Sequence, residues 1–165
     1  MEIVYIETTI VSLLVANPSR DVLIAGQQQA TRDWWQLRRG CFECITSDET
    51  RVEAAQGDAE QVRLRLAALA GLPSLPITPE VANLAAEFLR TGALPAVARS
   101  DAIHLAVASV THADYLLTWN CRHLANAQIL RRLKREAVRF GWELPTVCTR
   151  FELMGDSTYE IESDT

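Results

Sequence analysis

The sequence predicts an α/β fold: a three-layer sandwich around a mostly parallel central sheet of four to five strands. Three observations carry this reading. Short apolar, β-branched runs alternate with longer segments of helical periodicity along the whole chain. Capping hydroxyls and carboxylates directly follow the first two runs, at Thr8-Thr9 and Ser47-Asp48. The chain has 165 residues, 48% of them hydrophobic, enough for one domain with a sizeable core.

The elements follow in order. Residues 2–6 read as a buried strand, and Thr8-Thr9 then caps a short helix through Leu14. Asn17-Pro18-Ser19 is a turn. A helix is expected over 22–38, with Trp34, Trp35 and Leu37 as its bulky apolar face and Gly40 beyond its end. Residues 42–46 form the second strand. Ser47-Asp48-Glu49-Thr50 caps the helix that carries Glu53. After a turn at Gly57-Asp58, Val62, Leu66 and Leu69 recur at helical spacing over 59–70. The third strand is read over 74–78. Pro79 opens a helix with Val81, Leu84, Ala85 and Phe88 on its buried side, closed by Gly92. A linker with Pro95 spans 93–99, and a helix runs from Ser100 to Thr111. Residues 114–118 form the fourth strand, 124–140 are mostly helical with Leu130, Leu133 and Val138 as core candidates, and 146–149 form an edge strand. Residues 1–150 thus read as one domain, and 151–165 as an acidic tail expected to be mobile.

Composition narrows the function. The formal net charge of −5 argues against a broadly basic nucleic-acid coat. It leaves a nuclease open, because a cation inverts the local sign of an acidic site. Arg131, Arg132, Lys134, Arg135 and Arg139 form a basic cluster that reads first as a solvated helix face. No apolar run is long enough to span a membrane, and no secretory signal pattern opens the chain; a cytoplasmic location is expected. Cys41-x-x-Cys44 lacks a partner pair at zinc spacing, so Cys41, Cys44, Cys121 and Cys148 read as reduced thiols. A site recruiting Cys121 and His123 is the weaker alternative. No Gly-rich phosphate loop and no nucleophile elbow occur.

The informative residues are acids. Glu7 ends the first strand, Glu53 lies in the helix after the second, and Asp101 opens the helix before the fourth. In a parallel sheet the strand ends share one edge, where open α/β sheets bind ligands. Carboxylates gathered there resist joint ionisation unless a cation sits among them. Hard oxygen donors suit Mg²⁺ or Mn²⁺, which points to metal-assisted phosphodiester chemistry. Each acid alone also has a plain reading as a helix-terminal charge. His104, on an apolar helix, reads as a hydrogen-bonded core residue or as a group that positions substrate or water. Thr8, Thr9 and Ser47 read as caps or as holders of water or phosphate. Asn120 reads as a turn residue or as a water-orienting amide, and Asp114, at the opposite sheet edge, as structural.

Four segments stand in order: Tyr5-Ile6-Glu7-Thr8-Thr9, Ser47 through Glu53, Ser100-Asp101-Ala102-Ile103-His104-Leu105-Ala106, and Asp114-Tyr115-Leu116-Leu117-Thr118-Trp119-Asn120. Together they resemble the PIN-domain ribonucleases, with the VapC-like toxins of type II toxin–antitoxin modules as the nearest look. The resemblance spans nearly the whole chain. It implies a Mg²⁺- or Mn²⁺-dependent endoribonuclease acting on RNA, a homodimer, and a cognate antitoxin partner. It also implies that Glu7, Glu53 and Asp101 bind metal, with Thr8 supporting substrate or metal. Two departures stand out. The first acid of the pattern is usually aspartate, and the extra methylene of Glu7 displaces the carboxylate by more than about 1 Å unless the backbone adjusts. The fourth acidic station, at residues 118–123, offers Asn120 and His123 but no carboxylate. A catalytically weakened or inactive RNA- or partner-binding module is therefore the alternative. A small phosphatase on a related scaffold is the third possibility.

Overall fold

Five short strands form one parallel sheet, and its order places the acids. The computed structural model describes residues 1–155. The strands are β1 (Ile3–Ile6), β2 (Glu43–Ser47), β3 (Ser74–Leu75), β4 (Tyr115–Leu117) and β5 (Thr146–Cys148), in the spatial order β3-β2-β1-β4-β5. Every neighbouring pair is parallel, with Tyr5 opposite Ile45 on one side and Leu116 on the other. The strand order reverses at β1. The crevice between the ends of β1 and β4 is therefore the switch point at which such sheets take ligands.

Among the described residues seven α-helices cover both faces: α1 (Thr8–Val15), α2 (Val22–Leu37), α3 (Asp48–Ala54), α4 (Ala59–Leu69), α5 (Pro79–Arg90), α6 (Arg99–Val110) and α7 (Ala127–Arg139). The period-two alternation of the strands divides the core. Tyr5, Ile45 and Leu116 pack with α5, α6 and α7, while Val4, Ile6, Cys44 and Leu117 pack with α1, α2 and α4. The α6 helix is buried from Ala102 to Ser109. A helix apolar all round belongs inside, so the one imidazole within it, His104, must find partners there.

Several boundaries differ from the sequence reading. β3 holds two residues, not the five of 74–78, because Pro76 cannot donate to a ladder. The last long helix starts at Ala127, not at 124. The Asn126 side chain accepts from the Gln128 and Ile129 amides and fixes its first turn. Its core residues are Ile129, Leu133 and Ala137; Leu130 is half-buried and Val138 is exposed. On α2, Trp34 is buried, Trp35 is half-buried and Leu37 is exposed. Residues 151–153, expected in the tail, are packed against the fold. Arg150–Glu152 form a 3-10 turn, Leu153 is buried, and Trp34 Nε1 donates to the Leu153 carbonyl at 3.2 Å. Residues 156–165 lie outside the described residues.

Asp114 is structural, as its place at the far edge implied: its Oδ2 accepts from the Ile3 amide at 2.7 Å. The basic residues of α7 are exposed. Cys41 is exposed while Cys44 and Cys148 are buried, and all four cysteines are free. Burial pushes the Cys44 thiol up to about 11 and the Cys148 thiol up to about 12, so neither is a thiolate at neutral pH. No helix among the described residues is long and apolar enough to cross a membrane.

Candidate metal centre at the sheet edge

Glu7 is the residue where β1 hands over to α1. It caps α1 with its own side chain: Oε2 accepts from the Thr9 amide at 3.1 Å and the Thr9 hydroxyl at 2.5 Å. The hydroxyl of Thr118, one residue past β4, donates to the same oxygen at 2.7 Å. The backbone joins in, with the Glu7 amide donating to the Leu117 carbonyl at 3.2 Å. The cap expected from Thr8-Thr9 is thus made by Glu7, and the extra methylene lets the carboxylate fold back over the helix terminus. Three donors hold Oε2. Oε1 lies 4.0 Å from His104 Nε2.

Glu53 reaches the same place from α3. Ser47 caps that helix by accepting from the Thr50 amide, which sets the turn on which Glu53 stands. Its Oε1 accepts from the Thr8 hydroxyl at 2.6 Å and pairs with His104 Nε2 at 2.5 Å. His104 is fully buried, and its other nitrogen, Nδ1, meets the Tyr5 hydroxyl at 2.7 Å. That hydroxyl also meets Ser47 Oγ at 2.6 Å and Thr50 Oγ1 at 3.2 Å. A continuous polar path thus runs from inside the core, through Tyr5 and His104, to the two carboxylates.

The charges in this path support one another. For His104, burial is the largest influence and favours the neutral ring. The Tyr5 oxygen, the bond to Glu53 and the nearby Glu7 and Glu53 carboxylates outweigh it and hold the pKa well above the ordinary 6.5. For Glu53, burial likewise works against charge. The hydrogen bond and positive charge of His104, with the Thr8 bond, win and lower its pKa below 4.5.

Asp101 occupies the first turn of α6 and faces the loop after β4. Its Oδ1 accepts from Asn120 Nδ2 at 2.9 Å, and its Oδ2 pairs with His123 Nδ1 at 2.9 Å. The Asn120 amide donates to Thr118 Oγ1, and Asn120 Oδ1 accepts from the His123 amide. The Thr118–His123 loop is therefore tied to both Glu7 and Asp101.

Among the described residues, the group whose ligand atoms lie within 4.8 Å of one another is Glu7, Glu53 and His104. Asp101 stands outside that trio, held by Asn120 and His123. Thr8 Oγ1 serves Glu53. Tyr5 and Thr118 join the site without having been singled out for it, and His123, read with Asn120 at the fourth station, joins it through Asp101. Period-two patterning showed Tyr5 to be inside but not what its hydroxyl meets. The donor chemistry fits a divalent cation: two carboxylate oxygens and one imidazole nitrogen converge on one point. Two clefts of about 450 and 470 Å³, against Trp142 and against β5, share no residue with this group.

An all-parallel five-stranded α/β sheet with carboxylates at its switch point is consistent with a PIN-like fold. The chain is similar in structure to a chain of VapBC2 from Rickettsia felis, a crystal structure bound to a DNA fragment from their promoter. The TM-score is 0.58 at 13% identity, covering 89% of this chain and 98% of that one. No family model matches the chain, and no curated protein sequence does.

Proposed function

We propose that this protein is a divalent-metal-dependent endoribonuclease that hydrolyses RNA phosphodiester bonds, the toxin of a type II toxin–antitoxin pair. The observation that carries the reading is the convergence of Glu7, Glu53 and His104 at the end of β1, beside the Asp101–Asn120–His123 group, on a fold similar to a VapBC2 chain. Glu7 and Glu53 would hold Mg²⁺ or Mn²⁺, and Asp101 would add a third carboxylate beside them. A divalent cation held there neutralises phosphate charge and lowers the pKa of a bound water.

The protein's own groups do the rest. Asp101 takes the proton of the attacking water; each of its oxygens keeps a lone pair beyond the bond to Asn120 or His123. The new oxygen–phosphorus bond forms as the bond to the bridging ribose oxygen breaks, and solvent returns a proton to that leaving oxygen. Thr8 fixes Glu53, and Asn120 fixes Asp101. A cognate antitoxin and a homodimer complete the reading; light scattering on the purified protein should give twice 18.4 kDa.

Cleavage of a mixed labelled RNA pool with Mg²⁺, Mn²⁺ or EDTA tests the activity, alongside Asp101→Asn. Cutting should require metal and should fall by about a hundredfold or more in the variant, the scale of a lost general base. Unchanged turnover in the variant would sink the assignment of Asp101. A second reading, an RNA- or partner-binding module without activity, is favoured by one feature: the fourth station carries Asn120 and His123, which already occupy both Asp101 oxygens. Absence of cutting by folded protein under every metal condition would select it.

A further inference from the structure

We infer that His104 is a direct nitrogen ligand of the bound cation, that the site consequently prefers Mn²⁺ to Mg²⁺, and that Tyr5 is the residue that positions the ring. The inference rests on the metal-site reading above but not on the identity of the substrate.

Three geometric facts carry it. His104 Nε2 stands 2.5 Å from Glu53 Oε1 and 4.0 Å from Glu7 Oε1, on the side of the ring that faces both carboxylates. The ring is fully buried on an otherwise apolar stretch of α6, Ala102 to Ala108. Its opposite nitrogen is anchored by Tyr5, whose hydroxyl is itself held by Ser47 and Thr50. Ligating histidines are oriented in this way: the distal nitrogen is engaged by a fixed partner, which sets tautomer and ring angle. With the cation bound, Nδ1–H would donate to the Tyr5 oxygen, the Tyr5 hydroxyl would donate onward to Ser47 or Thr50, and Nε2, freed of its proton, would turn its lone pair toward Glu7 and Glu53. Mg²⁺ favours all-oxygen surroundings and dehydrates reluctantly. A first-row transition ion accepts imidazole more readily, so one nitrogen among the donors shifts the preference toward Mn²⁺.

The test is metal binding by the full-length protein, read separately from RNA cleavage. Calorimetric titration should give Mn²⁺ an affinity at least about tenfold above that of Mg²⁺. Pulsed electron paramagnetic resonance of bound Mn²⁺ should show coupling to one ¹⁴N nucleus. That coupling should vanish in His104→Gln and persist in His123→Gln, with circular dichroism confirming that both are folded. Tyr5→Phe, which keeps the ring volume, should retain the coupling but weaken Mn²⁺ binding by about 10–100-fold, the scale of a lost orienting partner. The nitrogen ligand is overturned by Mn²⁺ binding without ¹⁴N coupling, or by coupling lost in His123→Gln instead. The preference is overturned by equal Mg²⁺ and Mn²⁺ affinities, and the role of Tyr5 by an unchanged affinity in Tyr5→Phe. Should His104→Gln fail to fold, the wild-type and His123→Gln spectra still decide between the two histidines. RNA cleavage without ¹⁴N coupling would leave the ribonuclease reading standing and this one refuted. Nitrogen-coupled Mn²⁺ without RNA cleavage would do the reverse.

Discussion

At the scale of single residues, one carboxylate carries two tasks. Glu7 uses Oε2 to cap α1 and to accept from Thr118, and so holds Oε1 near His104. Thr118 is the hinge of this arrangement, because its hydroxyl also accepts from the Asn120 amide. Thr118→Val keeps the shape but leaves that half-buried amide and the buried Glu7 each one partner short. A loss of about 1–3 kcal/mol is expected in urea denaturation, the cost of an unsatisfied buried group. A change within about 0.5 kcal/mol, the usual range for inconsequential substitutions, would mean the loop does not depend on the hydroxyl. Glu7, Glu53 and Asp101 stood out in the sequence by their joint placement near strand ends and helix starts, although each alone could serve as a helix-terminal charge, as Glu7 does in capping α1. The tyrosine beneath them was not. Tyr5 sits in an unbroken apolar run, and nothing in Ile3-Val4-Tyr5-Ile6 shows that its hydroxyl meets a histidine 99 positions away. Asp101 was legible as a site acid, but not its engagement by Asn120 and His123, which depends on how the loop after β4 turns back.

At the scale of elements, periodicity identified the helices well and their buried faces less well. On α5 the predicted Val81, Leu84, Ala85 and Phe88 are all buried. On α7 the predicted face was rotated. The basic residues interrupt the apolar pattern, and the helix turns to bury Ile129, Leu133 and Ala137 at four-residue spacing. The two faces make a paired prediction. Leu133→Ala removes a fully buried side chain and should cost about 2–5 kcal/mol. Val138→Ala, on an exposed residue of the same helix, should stay within about 0.5 kcal/mol. Equal effects in thermal or urea denaturation would contradict this orientation of α7. Strand limits were the least legible. Their ends are set by Pro76, by side chains such as Asp114, and by the partner strand's length, none of which alternation reveals.

At the scale of the whole molecule, the coupled Glu53–His104 pair ties stability to pH, and a bound cation should reverse the sign of that dependence. Glu53 has its pKa lowered by folding, so its contribution is complete above 4.5 and is lost as pH falls through the lower folded value. His104 has its pKa raised, so its contribution is complete below 6.5 and is lost as pH rises toward the higher folded value. Without metal, the pair stabilises most between about 4.5 and 6.5. The stability difference between wild type and His104→Gln, from urea melts in EDTA, should be greatest in that window and shrink as the pH is raised beyond it. A ligating imidazole must be free of its Nε2 proton, so Mn²⁺ competes with that proton and binds more tightly as pH rises. At a hundredfold excess over its dissociation constant, a ligand specific to the folded state adds about 2.7 kcal/mol. At a fixed, subsaturating Mn²⁺ concentration, the metal-induced gain should therefore grow across the same pH range in which the metal-free contribution declines. Opposite slopes in the two titrations, with the metal gain suppressed in His104→Gln, are the expected outcome. A metal gain that is flat with pH and unaffected by His104→Gln would show that the cation rests on carboxylates alone, with the histidine serving only to neutralise them in its absence.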